Sequence, residues 1–268
     1  MDRTTARTQT TTDAMDPARA AALHAALALD GPPPGAGDPL APFFHQVYFW
    51  DARPPAELGR DGHPAIGGFI PDLGLPRRMW AGGRLSFHAP LRAGIPAHKT
   101  TTIHAVTRKQ GRTGPLAFVT LRHRVTQGGQ PCVTEDQDLV YRADPAPGTP
   151  PPTPPRDTAT AQDSQTLAFS PTLLFRYSAL TFNGHRIHYD RDYCRTVEGY
   201  DGLVVHGPLL AQLMMLRAAA RAPLTGFSFR AHAPLLDHEV ATLCRADNRL
   251  WVRGPQDRLC MSAEVTHG

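Results

Sequence analysis

Proline and glycine decide where this chain can be helical, and they leave little room. The 268 residues hold 27 prolines and 23 glycines. Proline lacks a donor N–H, and glycine costs about 1 kcal/mol against alanine inside a helix. From His63 to Gly83 the breakers Pro64, Gly67, Gly68, Pro71, Gly74, Pro76, Gly82 and Gly83 exclude a long helix. Two segments escape. Asp16-Pro17 opens a short alanine-rich helix to about Leu29, with the aspartate as N-cap. Leu209, Leu210, Leu213, Leu216 and Ala220 then recur at helical spacing, thickened by Met214 and Met215, which read as ordinary core. A long buried helix is expected over about 208–221, with Gly207 as N-cap and Pro208 at the first helical position. The start of such a helix offers unpaired N–H groups and partial positive charge, which suit an oxygen gaining negative charge.

The remainder reads as strand. Arg84–Leu91, Thr100–Gln110, Gly114–Thr126 and Pro131–Arg142 carry strand patterns, and Gly128-Gly129 is a hairpin turn between the last two. Phe227, Phe229 and Ala231 alternate with polar residues, as do Leu259, Met261, Ala263 and Val265 with Cys260, Ser262 and Glu264. Both are half-buried strands of an antiparallel sheet. Phe43–Trp50 is an aromatic patch, read as a strand or edge segment on the core in preference to a wall touching the substrate. Arg77-Arg78-Met79-Trp80 fits a pocket mouth and a plain surface turn equally well. Residues 1–14 are Thr-rich and expected to lack fixed structure. Residues 143–165 contain seven prolines and no aromatic, the composition of an extended linker. His88-Ala89-Pro90-Leu91 recurs as His232-Ala233-Pro234-Leu235 in similar strand-bend-strand settings, which supports a duplicated fold.

Composition narrows the function. With 41% hydrophobic and 19% charged residues the chain can bury a core. The net charge of +4 is spread without a like-charged run, and Lys99 and Lys109 are the only lysines. No nucleic-acid partner is expected, whereas arginines near a pocket would suit the phosphates of a small ligand. Cys132, Cys194, Cys244 and Cys260 lie far apart and read as reduced structural thiols. The apolar run Ala20–Leu29 is too short to span a membrane, and Asp13 and Asp16 precede it. The chain reads as soluble and cytoplasmic, with no membrane partner.

The densest chemistry lies between Tyr177 and Gly207, which reads Tyr-Ser-Ala-Leu-Thr-Phe-Asn-Gly-His-Arg-Ile-His-Tyr-Asp and ends, fifteen residues later, in His206-Gly207. Asn183, His185, His188 and Asp190 handle protons or hydrogen bonds. Against this stand an inert polar turn and a metal held by His185, His188 and His206. No known zinc spacing occurs, so no metal is expected. His206 reads as structural, at the mouth of the helix.

At these residues the chain resembles the MaoC-like (R)-specific enoyl-thioester hydratase/dehydratase family, which has the hot-dog fold. That family usually reads Asp-x-Asn-Pro-x-His-x-Asp, followed by Ile/Val-x-His-Gly. Here His188 and Asp190 fall on His-x-Asp, and His206-Gly207 on His-Gly. Asn183 stands where the family has its catalytic aspartate, and His185 where it has asparagine. The variant is similar to a subgroup that includes mesaconyl-C4-CoA hydratases and mitochondrial 3-hydroxyacyl-thioester dehydratases, over roughly residues 40–268.

The resemblance implies an α+β double hot-dog, two units whose sheets join as a pseudo-dimer. The expected division is 1–40 tail and short helix, 41–142 a first unit without a long central helix, 143–165 linker, and 166–268 the unit carrying the motif. The helix-poor unit would leave room for the acyl group. The activity implied is addition of water to an enoyl-CoA, or its removal from a 3-hydroxyacyl-CoA, without a cofactor. The acyl group could be short and dicarboxylic, such as mesaconyl-C4-CoA. His188 would transfer the proton, Asn183 would position the water, and Gly207, His185, Arg186 and Tyr177 would bind substrate, in a homodimer. An amide cannot take a proton, so a carboxylate from elsewhere could join His188; Asp190, Glu135, Asp136 and Asp138 are the options. A thioesterase and a non-catalytic acyl-thioester-binding subunit are the competing readings.

Overall fold

In the computed structural model, which describes residues 7–111, 114–144 and 153–268, ten strands form a single antiparallel sheet. The first half contributes β1 (Thr8–Asp13), β2 (Arg77–Phe87), β3 (Ala97–Gly111), β4 (Gly114–Gln127) and β5 (Gln130–Arg142). The second contributes β6 (Asp163–Leu167), β7 (Leu224–Ala231), β8 (Ala241–Ala246), β9 (Arg249–Arg253) and β10 (Leu259–His267). Their order across the sheet is β1-β3-β4-β5-β2-β7-β10-β9-β8-β6. Each half has the same internal order, read outward from the β2–β7 seam. Helices α1 (Pro17–Ala26) and α2 (Pro171–Leu180) follow the first strand of each half, capped by the side chains of Asp16 and Ser170.

The recurring His-Ala-Pro-Leu confirms the duplication at atomic level. His88 N donates to Cys132 O at 2.8 Å, and His232 N to Cys260 O at 2.9 Å. His88 Nε2 meets Thr134 Oγ1 at 3.0 Å, and His232 Nε2 meets Ser262 Oγ at 2.8 Å. The two bends are therefore the same device built twice.

The seam depends on glycine. β2 and β7 pair from Gly82↔Arg230 to Ser86↔Gly226, next to a bulge between Trp80 and Gly82. A Cβ on Gly82 would lie 2.4 Å from Phe229 O, so the backbones can approach this closely only without a side chain. The glycines that forbid a helix here thus also permit a central strand, and β2 begins at Arg77, seven residues earlier than the strand pattern predicted.

The halves differ in their helices. After the short α3 (Arg191–Tyr193), α4 (Gly207–Ala219) runs through the core, with Leu209, Leu210, Ala211, Met214, Met215 and Ala218 all 3% exposed or less. Each such leucine or methionine contributes about 1.5–3 kcal/mol by leaving water. In the first half, the described residues between α1 and β2 hold only short 3₁₀ turns at Phe44–Val47 and Pro55–Glu57. Phe69, Ile70, Leu73 and Leu75 pack there on Ile103, Val119, Leu121 and Leu139 instead. A loop replaces the helix, and a cavity of about 370 Å³ opens between it and α4.

Three expectations need correcting. Residues 8–13, read as unstructured, form β1 and pair with β3, since a threonine-rich polar run suits an edge strand. The aromatic patch is no strand: Phe43 and Phe49 adopt left-handed backbone angles, and the segment folds inward with Phe43, Phe44, Val47, Tyr48 and Phe49 buried. The expected linker is partly sheet, because Asp163–Leu167 pairs with β8 as β6; its residues 145–152 lie outside the described residues.

Candidate active site

The cavity is walled by both halves: Asn183, His185, His188 and Gly207 come from the second, and Asp61, His63 and Arg78 from the first. The polar loop starts where α2 ends. Thr181 closes the last turn, Phe182 takes a positive φ of 51°, and Asn183 N donates back to Ser178 O at 2.8 Å. Asn183 Oδ1 accepts from His185 N at 3.1 Å, a local turn typical of asparagine. Its side-chain amide donors keep no partner among the described residues.

His188 is fixed by a bond of one possible sense. Its Nδ1 lies 2.7 Å from Val204 O, and a carbonyl only accepts, so Nδ1 carries the proton and Nε2 is left with a bare lone pair. Burial pushes the His188 pKa down to about 3, partly opposed by that bond. The imidazole is a neutral base throughout the physiological range. His206 stacks against it, with ring centroids 3.6 Å apart, and His206 Nε2 pairs with Ser178 Oγ at 2.8 Å. Burial holds His206 neutral as well.

His206, not Gly207, is the cap residue of α4, so Gly207 and Pro208 form its first turn. Leu210 N is the first to donate within the helix, to His206 O at 3.1 Å. Gly207 N therefore points from the helix start without an internal acceptor. A Cβ on Gly207 would meet only Met261 Cε at 3.7 Å. The fold itself does not demand glycine there; the free space belongs to the cavity.

Sequence reasoning missed Asp61 and His63. Their segment crosses the polar loop at Gly62, where a Cβ would fall 2.0 Å from Gly184 O. Gly62 also has φ +85°, a left-handed conformation that glycine adopts without strain. Arg186 N donates to Asp61 O at 2.9 Å, which secures the crossing. Asp61 Oδ2 pairs with His63 Nδ1 at 3.0 Å, the His63 ring lies 4.4 Å from His185, and His185 lies 5.4 Å from His188. Burial, then the neighbouring His63 and His188, lower the His185 pKa to about 2. Burial opposes ionisation of Asp61, but its bond to His63 outweighs this and holds the carboxyl below its ordinary value. An aspartate and a histidine around one glycine, in a stretch without apolar periodicity, were the only sequence signal.

The structure separates the other predicted residues from the cavity. Tyr177 is 1% exposed and packs edge-on against His206, behind the site. Arg186 is spent on Asp190 at 2.7 Å and stacks on Tyr193, so it is a loop bracket. Asp190 also caps α3, accepting from Tyr193 N at 2.9 Å. Glu135 binds His45 at 2.9 Å in the core, while Asp136 and Asp138 pair with Arg122 and Arg84 on the sheet. None of the four carboxylates weighed from sequence reaches the cavity. A cation, if one entered, would find ligand atoms of Asp61, His63 and His185 within 4.8 Å of one another. His188 and His206 are each committed to other partners through one nitrogen.

Several histidines buried neutral make stability acid-sensitive. An unfolded histidine binds its proton near pH 6.5, whereas folded His188 resists until about pH 3. Between these values the unfolded state holds more protons, so stability is full above about 6.5 and falls as pH drops. Each such histidine contributes a slope of roughly 1.4 kcal/mol per pH unit. The melting temperature should fall steadily from pH 6.5 to 4.5, as thermal unfolding across that range would record.

The sheet built twice around one buried helix makes this a double hot-dog protein, with a neutral histidine at the cavity between its halves. The hydroxyacyl-thioester dehydratase type 2 family model matches residues 43–237, a span that contains both Asp61–His63 and the Asn183–His188 loop, and the chain belongs to that family. It is 46% identical over 260 residues to the mesaconyl-C(4)-CoA hydratase of Chloroflexus aurantiacus, covering 93% of this chain and 92% of that one. Its fold matches the crystal structure of HtdX from Mycobacterium tuberculosis, with TM-score 0.69, 20% identity, and coverage of 97% and 99%. A second Mycobacterium tuberculosis protein, described as having a double hotdog fold, matches with TM-score 0.57, 15% identity, and coverage of 97% and 95%. The protein is an acyl-CoA hydratase/dehydratase, a hydro-lyase. Among the described residues no helix is long and apolar enough to cross a membrane.

Proposed function

We propose that the enzyme hydrates a short dicarboxylic enoyl-CoA such as mesaconyl-C4-CoA, with His188 as the proton-transfer residue. The observation that carries this is the single-sense bond from His188 to Val204, which leaves Nε2 of this cavity-lining imidazole bare and neutral. The thioester oxygen sits against Gly207 N at the start of α4, where the helix dipole stabilises developing negative charge. Water loses a proton to His188 Nε2 as its oxygen bonds to Cβ, and the electron pair of the double bond moves toward the carbonyl. The proton on His188 then passes to Cα, which restores the neutral base. Dehydration is the same path reversed. Asn183 holds the water through its free amide donors.

The carboxylate lost at position 183 is supplied from the other half. Asp61 fixes the tautomer of His63 and compensates any charge appearing on the His63–His185–His188 row. The relative's name and the 46% identity support the substrate. Four buried free thiols suit a cytoplasmic setting, and exposed Phe175 and Val240 suit a homodimer contact.

Mesaconyl-C4-CoA and crotonyl-CoA, followed by loss of enoyl absorbance alongside assay of free thiol, test the reading. Enoyl loss without thiol release is expected; thiol release would mark a thioesterase. Gly207→Ala should fold normally, given the space around it, and lower kcat/KM by about tenfold through displacement of the thioester. Unchanged kinetics would remove Gly207 N from the mechanism.

A further inference from the structure

The cavity carries more positive charge than its own carboxylates balance. Arg60, Arg77, Arg78 and Arg142 line it, against Asp61 and Glu198. Arg77 is paired with Glu198, and Arg60 with Asp144 at 2.5 Å. Asp61 is engaged with His63. Arg142, opposite Arg77 in the β2–β5 ladder, sits at the strand end. Among the described residues neither Arg78 nor Arg142 makes an ion pair; Arg142 keeps a buried Nε without a partner, and half-buried Arg78 meets the Tyr141 side chain but no carboxylate.

Its position distinguishes it from the others. Arg78 lies opposite Tyr141 in the ladder, and its charge disfavours protonation of both His63 and His185. Arg78 and His63 line the cavity from the first half, and His188 and Gly207 line it from the second. A half-buried guanidinium without a counter-ion, beside neutral imidazoles, is a site waiting for an anion. Gly207, His188 and Arg78 line one cavity, so an enoyl-thioester whose carbonyl meets Gly207 and whose Cβ meets His188 has Arg78 within the same space for a group carried on Cβ.

We propose that Arg78 binds a carboxylate carried on Cβ of the substrate and thereby selects dicarboxylic over monocarboxylic enoyl-CoA. This rests on the hydration reading above. Guanidinium and carboxylate form two parallel hydrogen bonds in a site shielded from water, a geometry that lysine cannot reproduce.

The test compares wild type, Arg78→Met and Arg78→Lys in hydration of mesaconyl-C4-CoA and crotonyl-CoA, with thermal melting as a check on folding. Arg78→Met should lower the mesaconyl-to-crotonyl ratio of kcat/KM by roughly 10²-fold, the scale of removing one partner from a buried ion pair. Arg78→Lys should fall between. The dead-end ligands succinyl-CoA and butyryl-CoA give a second readout by calorimetry, free of turnover. Wild type should bind succinyl-CoA more tightly, and Arg78→Lys should lose most of that preference. A ratio unchanged in Arg78→Met, or equal binding of the two dead-end ligands by wild type, overturns the assignment while leaving hydration standing. If wild type hydrates neither substrate, the hydration reading fails, and the succinyl-to-butyryl preference still decides the role of Arg78.

Discussion

His188→Ala is expected to lower hydration of an enoyl-CoA by roughly 10²–10⁴-fold, the range for loss of a general acid–base group. The loss should appear in kcat more than in KM, because the proton transfer belongs to the transition state. The substitution also removes the bond to Val204 and the stacking on His206, so some fall in melting temperature is expected. His188→Gln separates the two effects: it keeps a polar side chain able to donate to Val204 but has no titrating nitrogen. It should recover stability without recovering turnover. Turnover at the wild-type rate in His188→Ala would mean that His63 or His185 is the base. Because burial holds the His188 pKa at about 3, the acid limb of the wild-type rate should reflect loss of folding before protonation of the base.

The second large effect should come from a residue that touches no substrate. Gly62→Ala places a Cβ 2.0 Å from Gly184 O and requires alanine at φ +85°. The two loops must separate, moving Asp61–His63 away from His185. A displacement on the order of 1 Å can cost about 10²-fold in rate, and the strained backbone about 1–3 kcal/mol in stability. Gly74→Ala is the matched control, with φ +70° and nothing within 4 Å of the added Cβ. It should share the strain without the loss of turnover. Equal kinetic losses in both variants would show that the crossing does not organise the site.

Several features were legible because they depend on neighbours along the chain. The Leu/Met spacing of α4 and its Gly207-Pro208 start, the Gly128-Gly129 hairpin and the alternation in β7 and β10 are local patterns. The His-Ala-Pro-Leu recurrence marked the duplication before any contact was known. The loop from Asn183 to His188 was legible as chemistry because its residue types are dense and unusual. Misreadings fell where context overrides local pattern. The same glycines forbid a helix and allow the β2–β7 seam, and only the distance to Phe229 O distinguishes the two roles.

The sequence by itself determined the buried helix, most of β3, β4, β5, β7 and β10, and the proton-handling loop, since each follows from the periodicity or conformational limits of adjacent residues. Only the tertiary structure decided which carboxylate comes to lie beside the histidines of that loop. Asp61 stands 124 positions before His185, and it arrives because two glycines let two loops cross where side chains would collide. It also decided that Arg186 is neutralised at home while Arg78 is not. Charge pairing is settled by which side chains meet in space, and a linear chain does not contain that distance.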